Sequence, residues 1–147
     1  MKIGEICTRD TIIAKKDSSI YEIAKLMRQY HVGDIIVVNE GENAPIGIVT
    51  DRDIVIEILA KELSPEVVTT GDIMNRDVLT AYENDDIWDT LQRMRIKGVR
   101  RIPVVNLQGG LVGIATLDDL LELLADELED IAQIVRREEG RERSTRK

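Results

Sequence analysis

The stretch Ile46-Gly47-Ile48-Val49-Thr50-Asp51-Arg52-Asp53 decides the fold, and a related stretch returns as Val112-Gly113-Ile114-Ala115-Thr116-Leu117-Asp118-Asp119. Each copy is a short apolar run that ends in a threonine, followed by an acid three positions later and by a helical pattern. In one interpretation the threonine and the acid cap a helix. In the other, the hydroxyl and the carboxylate hold the hydroxyl groups of a ligand at the end of a strand. The occurrence of two copies in the same context favours the second interpretation.

The chain is built from two copies of one unit. A shift of 67 positions aligns Val37-Val38-Asn39 with Val104-Val105-Asn106, and a shift of 66 aligns Thr50 with Thr116 and Asp53 with Asp119. We therefore predict an α/β (α+β) fold of two β-α-β-β-α repeats packed about a pseudo-twofold axis. Repeat 1 is placed at residues 1–66, repeat 2 at residues 67–125, and a C-terminal helix extension with a charged tail at residues 126–147.

Apolar periodicity and turn signals predict the elements of each copy. In the first copy they are a strand at 11–14, a helix at about 19–30, strands at 35–38 and 46–49, and a helix at 52–63. In the second copy they are a strand at 78–81, a helix at 86–96, strands at 102–105 and 111–115, and a helix at 117–135. The apolar stripe of the last helix is wider than one small sheet needs, so ordinary core and an interface with another subunit both explain it. We expect the charged tail from Arg136 to be disordered.

Composition and charge exclude several classes of function. The chain has 147 residues, 43% of them hydrophobic and 33% charged, with a net charge of -8. Because the last twelve residues carry six basic and three acidic side chains, the other 135 residues carry -11, which argues against nucleic acid as a partner. His31 and Cys7 are the only histidine and cysteine, so they cannot form a zinc site of histidine and cysteine ligands. With neither a signal-peptide pattern nor a membrane-length apolar run, we expect a cytoplasmic protein without a membrane partner.

Two motifs stand at the hairpins: Gly47–Asp53 ends one of them, and the other begins with Gly98-Val99-Arg100-Arg101-Ile102-Pro103-Val104-Val105-Asn106. Together they resemble the motifs of a tandem pair of cystathionine-β-synthase (CBS) domains, a Bateman module. The resemblance covers residues 3–125. It implies a stand-alone regulatory module, not an enzyme, with a cleft between its repeats. Such pairs often bind adenine nucleotides or S-adenosylmethionine, often form homodimers, and regulate a partner protein.

The resemblance also implies a ligand site at the matching positions. Thr50 and Asp53 would hold the ribose, and Arg101, helped by Arg100 or Arg52, would bind the phosphate. The positions that would surround the base are Ile48, Val78, Leu79, Val99 and Pro103.

A mirror site would use Thr116 and Asp119 for the ribose. Gly33 and Asp34 stand there in the places of Arg100 and Arg101, and Asp118 stands in the place of Arg52. Carboxylates in these places would repel a phosphate, so we expect this site to be empty or to take an uncharged or cationic nucleoside. The positions that would surround the base are Thr11, Ile12, Val32, Ile36 and Ile114.

Other interpretations of the same residues stay open. Arg100 and Arg101 could be exposed residues at the start of a strand, and His31 fits a helix end. Cys7 and Trp88 fit packing positions. No catalytic set can be completed, so we predict a sensor of an AMP-, ADP- or ATP-like nucleotide that signals to a partner, without a required cofactor. The alternatives are a ligand-free dimerisation module, an S-adenosylmethionine or NAD binder, and a nucleic-acid module that uses the basic tail.

Overall fold

The computed structural model describes residues 1–146 and divides into two compact units, Met1–Ala115 and Thr116–Lys147. Short 3₁₀ helices lie at Ile3–Glu5 and Pro65–Val67. The strands and helices follow in the order β1 (Ile13–Ala14), α1 (Ile20–Tyr30), β2 (Asp34–Val38), β3 (Pro45–Thr50), α2 (Asp51–Ile54), α3 (Thr70–Ile73), β4 (Ala81–Tyr82), α4 (Ile87–Lys97), β5 (Arg101–Val105), β6 (Leu111–Thr116) and α5 (Leu117–Thr145). The predicted order β-α-β-β-α, twice over, is confirmed. The predicted repeat boundaries at residues 66 and 125 stay predictions.

Two three-stranded sheets have the same topology. In the order β1-β2-β3, β1 runs parallel to β2, with Ile13 opposite Ile36, and β2 pairs antiparallel with β3, with Asp34 opposite Thr50. In the order β4-β5-β6, β4 runs parallel to β5, with Ala81 opposite Val104. The repeat seen in the sequence is therefore a repeat of strand pairing as well.

The helices begin and end where the sequence provides caps. Ser19 accepts a hydrogen bond from the backbone amide of Glu22 (3.1 Å), and α1 ends at His31 with φ 53°. In the second repeat, the side chain of Asp86 caps α4, which ends at Gly98 with φ 73°. Glycine adopts a left-handed conformation without strain, whereas a histidine there is uncommon. His31 therefore ends a helix, in agreement with the cap interpretation.

The two repeats are joined by reciprocal backbone hydrogen bonds. Thr8 of the first repeat exchanges hydrogen bonds of 2.9 Å with Ile114 of the second. In the same way, Asn75 of the second repeat exchanges bonds of 2.8 and 3.0 Å with Ile48 of the first. Since Thr8 and Asn75 match in the repeat, and Ile48 and Ile114 also match, the two contacts are related by the predicted pseudo-twofold symmetry.

Buried aliphatic side chains from both repeats make up the core. One buried cluster of the first repeat includes Ile23, Ile35 and Val49 and extends to Met74 of the second. Another joins Ile36 and Val38 to Leu111. These clusters fix the hairpins of the two repeats against each other within the unit Met1–Ala115.

Three elements of the unit Met1–Ala115 differ from the prediction. The helix expected at 52–63 is α-helical only to Ile54, and Val55–Leu59 forms a π-helical turn in which the amide of Ala60 donates to the carbonyl of Val55 (2.8 Å). A run of β-branched residues disfavours a regular α-helix here. The strand expected at 78–81 is shifted to Ala81–Tyr82, the residues that pair with β5. The strand expected at 11–14 is shortened to Ile13–Ala14, the residues that pair with β2.

The expectation of a disordered tail from Arg136 was wrong, because α5 continues to Thr145. This segment contains no proline and only one glycine, Gly140, and most of its residues favour helices. An ion pair from Arg136 to Glu129 (3.2 Å) along the helix supports it. The core interpretation of Trp88 was also wrong, since its side chain is half exposed.

Candidate functional site

The unit Met1–Ala115 contains a cleft of about 250 Å³ to which both repeats contribute. This volume is just below the usual range of small-molecule sites, which begins at roughly 300 Å³. The first repeat contributes the end of β3 and the start of α2, and the second contributes the segment before β4 and the start of β5. The lining residues are Ile48, Thr50, Asp53, Asn75, Asp77, Val78, Leu79, Val99, Arg100 and Arg101.

Most of the residues predicted for the first site lie together in this cleft. The structure brings together Ile48, Thr50, Asp53, Val78, Leu79, Val99, Arg100 and Arg101. Two predicted residues are absent from its lining: Arg52 is exposed on α2, and Pro103 is buried within β5. The carboxylate from the first repeat and the guanidinium from the second thus share one hollow. Their role in binding a ligand stays a prediction.

Two polar residues of the cleft were not predicted. Asn75 lies there because its backbone pairs with Ile48, and its side-chain oxygen accepts a hydrogen bond from the amide of Asp77 (3.0 Å). The carboxylate of Asp77 forms an ion pair with Lys97. A signal was present in the sequence, since Arg76-Asp77 repeats Arg9-Asp10 at the shift of 67.

Thr50 and Asp53 form the capping arrangement that the first interpretation predicts. The amide of Asp53 donates to Oγ1 of Thr50 (3.1 Å), and the amide of Thr50 donates to Oδ2 of Asp53 (2.8 Å). Within residues 1–146, the hydrogen bonds of the Asp53 carboxylate use Oδ2 only. Because a carboxylate has about four acceptor positions, a capping role leaves Oδ1 able to accept from a ligand. The two interpretations are therefore compatible.

Arg101 is held by a carboxylate of the other repeat. Its Nε lies 3.3 Å from Oδ1 of Asp34, and the two side chains are 34% and 18% exposed. In the described part of the chain this Nε is buried and has no hydrogen bond of good geometry. The contact is thus an ion pair that leaves the guanidinium incompletely satisfied. Burial raises the pKa of Asp34, Arg101 opposes the rise, and the neighbouring Asp51 adds to it.

The residues predicted for the second site belong to both units. In the unit Met1–Ala115, Ile12 and Val32 pack against the cluster around Ile35, and Ile114 packs against the cluster that contains Ile36. Thr11 is partly buried and precedes β1.

In the other unit, Thr116 and Asp119 form a second capping box at the start of α5, with backbone-to-side-chain distances of 2.9 and 3.2 Å. A ligand site built from these residues stays a prediction.

Residues 1–146 contain neither a cluster of metal-binding side chains nor a membrane-spanning helix. No group of three or more histidine, cysteine, aspartate or glutamate side chains there is arranged to hold a metal ion. In the same residues, no helix combines the length and the apolar character needed to cross a bilayer.

A comparison with known protein families agrees with the repeat, the two hairpins and the shared cleft. The family model described as CBS domain matches residues 3–60 and again residues 71–126. The chain belongs to the CBS domain family. CBS pair proteins are regulatory ligand-binding modules, and stand-alone pairs are generally regulatory proteins rather than enzymes.

Similar sequences occur in proteins of different lengths. An uncharacterized protein of Methanopyrus kandleri is 37% identical over 123 residues, which cover 84% of this chain and 62% of that protein. Inosine-5′-monophosphate dehydrogenase of Methanocaldococcus jannaschii is 30% identical over 121 residues, which cover 82% of this chain and 23% of the enzyme. The chain thus spans less than two thirds of either relative.

Similar solved structures include a CBS domain pair and a protein that this chain covers almost completely. A CBS domain pair in complex with 5′-methylthioadenosine and S-adenosyl-L-methionine is 28% identical with a TM-score of 0.75, over 86% of this chain and 98% of that one. Hypoxic Response Protein I with two coordinated zinc ions is 28% identical with a TM-score of 0.74, over 83% of this chain and 98% of that one.

Proposed function

We propose that this CBS pair senses an adenine nucleotide, bound in the cleft that contains Asp53 and Arg101, and passes its occupancy to a partner protein. The observation that carries the proposal is the convergence of an acceptor from one repeat and a cation from the other on one partly apolar hollow. An adenosine phosphate needs an apolar slot for its base, acceptors for its ribose hydroxyls and a cation for its phosphate.

We assign the nucleoside half of the ligand to the apolar residues of the cleft. Val78, Leu79 and Val99 are apolar and line it. The backbone of Val78 and Leu79 lies outside the paired part of β4, so its polar groups are not used in that sheet pairing. Asp53 accepts the ribose hydroxyls through Oδ1, while Oδ2 continues to cap α2.

The phosphate half is placed at Arg100 and Arg101 at the start of β5. Arginine donates several hydrogen bonds in a planar arrangement that suits a phosphate. Because Asp34 already pairs with Arg101, the phosphate competes with this carboxylate. The carboxylates of Asp53 and Asp77 in the cleft lower the affinity for highly charged ligands. A monophosphate is therefore favoured over a triphosphate.

Binding would change the protein because the ligand contacts both repeats. A ligand favours one relative arrangement of two elements only if it binds that arrangement more tightly. Contacts with Asp53 of the first repeat and Arg101 of the second meet this condition. The occupied and empty states would then differ in the surface that they offer to a partner.

A second candidate ligand is of the S-adenosylmethionine type. Asp77 supplies an additional carboxylate to the cleft, and this charge suits a sulfonium or an amino group better than a phosphate. A CBS domain pair of similar structure was solved with S-adenosyl-L-methionine and 5′-methylthioadenosine. In this alternative the nucleoside half keeps its place, and only the group near Asp77 and Arg101 differs.

Isothermal titration of the full chain with AMP, ATP, NAD and S-adenosylmethionine tests the proposal. Asp53→Ala and Asp119→Ala form a matched pair, because each removes the acid of an equivalent capping box. We expect both to lose up to about 1 kcal/mol of stability, but only Asp53→Ala to lose AMP binding. Loss of AMP binding in Asp119→Ala with normal binding in Asp53→Ala, or no binding of any of the four ligands to the wild type, contradicts the proposal.

A further inference from the structure

Helix α5 continues far beyond the part of the chain that resembles a CBS domain. The second family match ends at residue 126, whereas the helix extends to Thr145. Apolar residues follow one another on it at alternating intervals of three and four, which is the spacing of a helix that packs along another helix. These residues are Leu121, Leu124, Leu128, Ile131 and Val135, and we refer to them as the α5 stripe.

Within residues 1–146, the α5 stripe is left exposed. Leu121, Leu128 and Ile131 are 55%, 66% and 58% exposed, and Val135 is 50% exposed. Two alanines, Ala125 and Ala132, flank it at positions where a small side chain lets another helix approach. A continuous row of exposed aliphatic side chains on a helix is unfavourable in water and indicates an interface.

The charges of α5 are divided between its two halves. Residues 117–131 contain seven acidic side chains and no basic one. Residues 132–146 contain five arginines and three glutamates. The helix thus has a strongly acidic first half and a basic second half, and it is complementary to itself when turned end to end.

We propose that the α5 stripe packs antiparallel against the α5 stripe of a second copy of this chain. In an arrangement centred on Leu128, Arg136 and Arg137 of one copy lie at the level of residues 120 and 119 of the other, within one helical turn of Asp119 and Glu122. A parallel arrangement instead places each acidic half beside another acidic half. Opposite charges and antiparallel helix dipoles both favour the first arrangement. This inference is independent of the proposed ligand.

The self-association constant of the full chain, measured by sedimentation equilibrium, tests the interface. Leu128→Glu places a charge in the middle of the α5 stripe and is expected to weaken association at least tenfold. Gln133→Glu adds the same charge on the opposite side of the helix and is expected to change the constant less than twofold. A monomeric wild type, or a Leu128→Glu variant that associates as the wild type does, overturns the proposal. Circular dichroism shows that each variant remains folded.

The distance between two spin labels at residue 144 tests the orientation. Ser144→Cys is labelled in a Cys7→Ala background and measured by pulsed electron paramagnetic resonance. With a helical rise of about 1.5 Å per residue, an antiparallel pair centred on Leu128 places the two positions on the order of 48 Å apart. A parallel pair would place them within about 20 Å, given interaxial distances of 8–10 Å plus the labels. A distance near the shorter value, or no dipolar coupling, overturns the antiparallel arrangement.

Discussion

Nε of Arg101 lies 3.3 Å from Oδ1 of Asp34, and these two residues occupy the same position in the two repeats. They are 67 positions apart in the chain, and each is the first residue of a strand, β5 and β2 respectively. A contact between equivalent positions lies on the axis that relates the repeats. The symmetry of the fold therefore brings Arg101, the proposed phosphate ligand, against a carboxylate. In the proposed function, Asp34 would compete with an anionic ligand for Arg101.

Asp34→Asn is expected to increase the affinity for AMP about tenfold, or about 1.4 kcal/mol. The substitution removes the charge that competes with the phosphate and keeps the size of the side chain. Glu22→Gln, on the exposed side of α1, removes the same charge away from the cleft and is expected to leave the affinity unchanged. Isothermal titration at neutral pH measures both. Equal affinities in the wild type and Asp34→Asn would show that Asp34 does not compete with the ligand.

The stability of the protein should depend on pH through Asp34. Burial raises its folded-state pKa above the ordinary value of 3.8, against the opposing effect of Arg101 and with a further rise from Asp51. The folded protein therefore holds this proton more tightly than the unfolded chain does. The resulting contribution to stability is complete below the unfolded-state pKa and is lost as the pH rises through the folded-state pKa.

Urea denaturation of the wild type and Asp34→Asn over a range from about pH 3 to pH 7 measures this loss. The asparagine does not titrate, so the free energy of unfolding of the wild type should fall relative to that of the variant as the pH increases. A difference that stays constant, or that changes in favour of the wild type, would indicate that the pKa of Asp34 is not raised.

The fold was largely predictable because strand and helix patterns occur twice. Apolar, β-rich runs bounded by turn residues predicted β2, β3, β5 and β6 to within a residue or two. The sequence did not predict the full extent of α5, because high charge favours disorder whereas the same residues also favour helices. The π-helical turn at Val55–Leu59 was not predictable from apolar spacing, since α- and π-helical turns bury similar residues.

The cleft was predictable only as far as the family motif reached. The threonine and acid of one repeat follow from the repeated motif, and the arginines of the other follow from the resemblance to CBS pairs. Asn75 was missed because its place depends on backbone pairing with Ile48, between segments that are 27 positions apart. The pairing of Asp34 with Arg101 was missed for a similar reason. Asp34 was expected to hinder a phosphate only in the second site, and the way the repeats pack places it beside the first.

Arg101→Gln is expected to weaken AMP binding at least tenfold and to leave adenosine binding nearly unchanged. The reason is that the guanidinium would contact only the phosphate. Arg52→Gln is a matched control, because Arg52 was predicted as a phosphate ligand but does not line the cleft. We expect no effect of this change on either ligand. Competition titrations with AMP and adenosine measure the four affinities, and equal losses for both ligands in Arg101→Gln would place the phosphate elsewhere.

Gly113→Ala is expected to destabilise the protein by about 1–3 kcal/mol, the usual cost of inserting a methyl group into a closely packed site. A Cβ at this position would lie 2.7 Å from Sγ of Cys7 and 2.8 Å from the carbonyl oxygen of Thr8. The carbonyl cannot move easily, because the backbone of Thr8 is hydrogen-bonded to Ile114. The change would therefore disturb one of the two reciprocal contacts that join the repeats.

Gly140→Ala is the control for this substitution. Within residues 1–146, a Cβ at Gly140 would have no atom within 4 Å apart from its chain neighbours and the backbone of its own helix, and it would lie in the exposed part of α5. An alanine there should stabilise the helix by up to about 1 kcal/mol, the difference in helix propensity between the two residues. Denaturant unfolding of both variants measures the opposite signs. If Gly113→Ala unfolds at the same denaturant concentration as the wild type, Gly113 is not closely packed against Cys7 and Thr8. In that case the backbone contact between Thr8 and Ile114 is less tightly packed than the structure indicates.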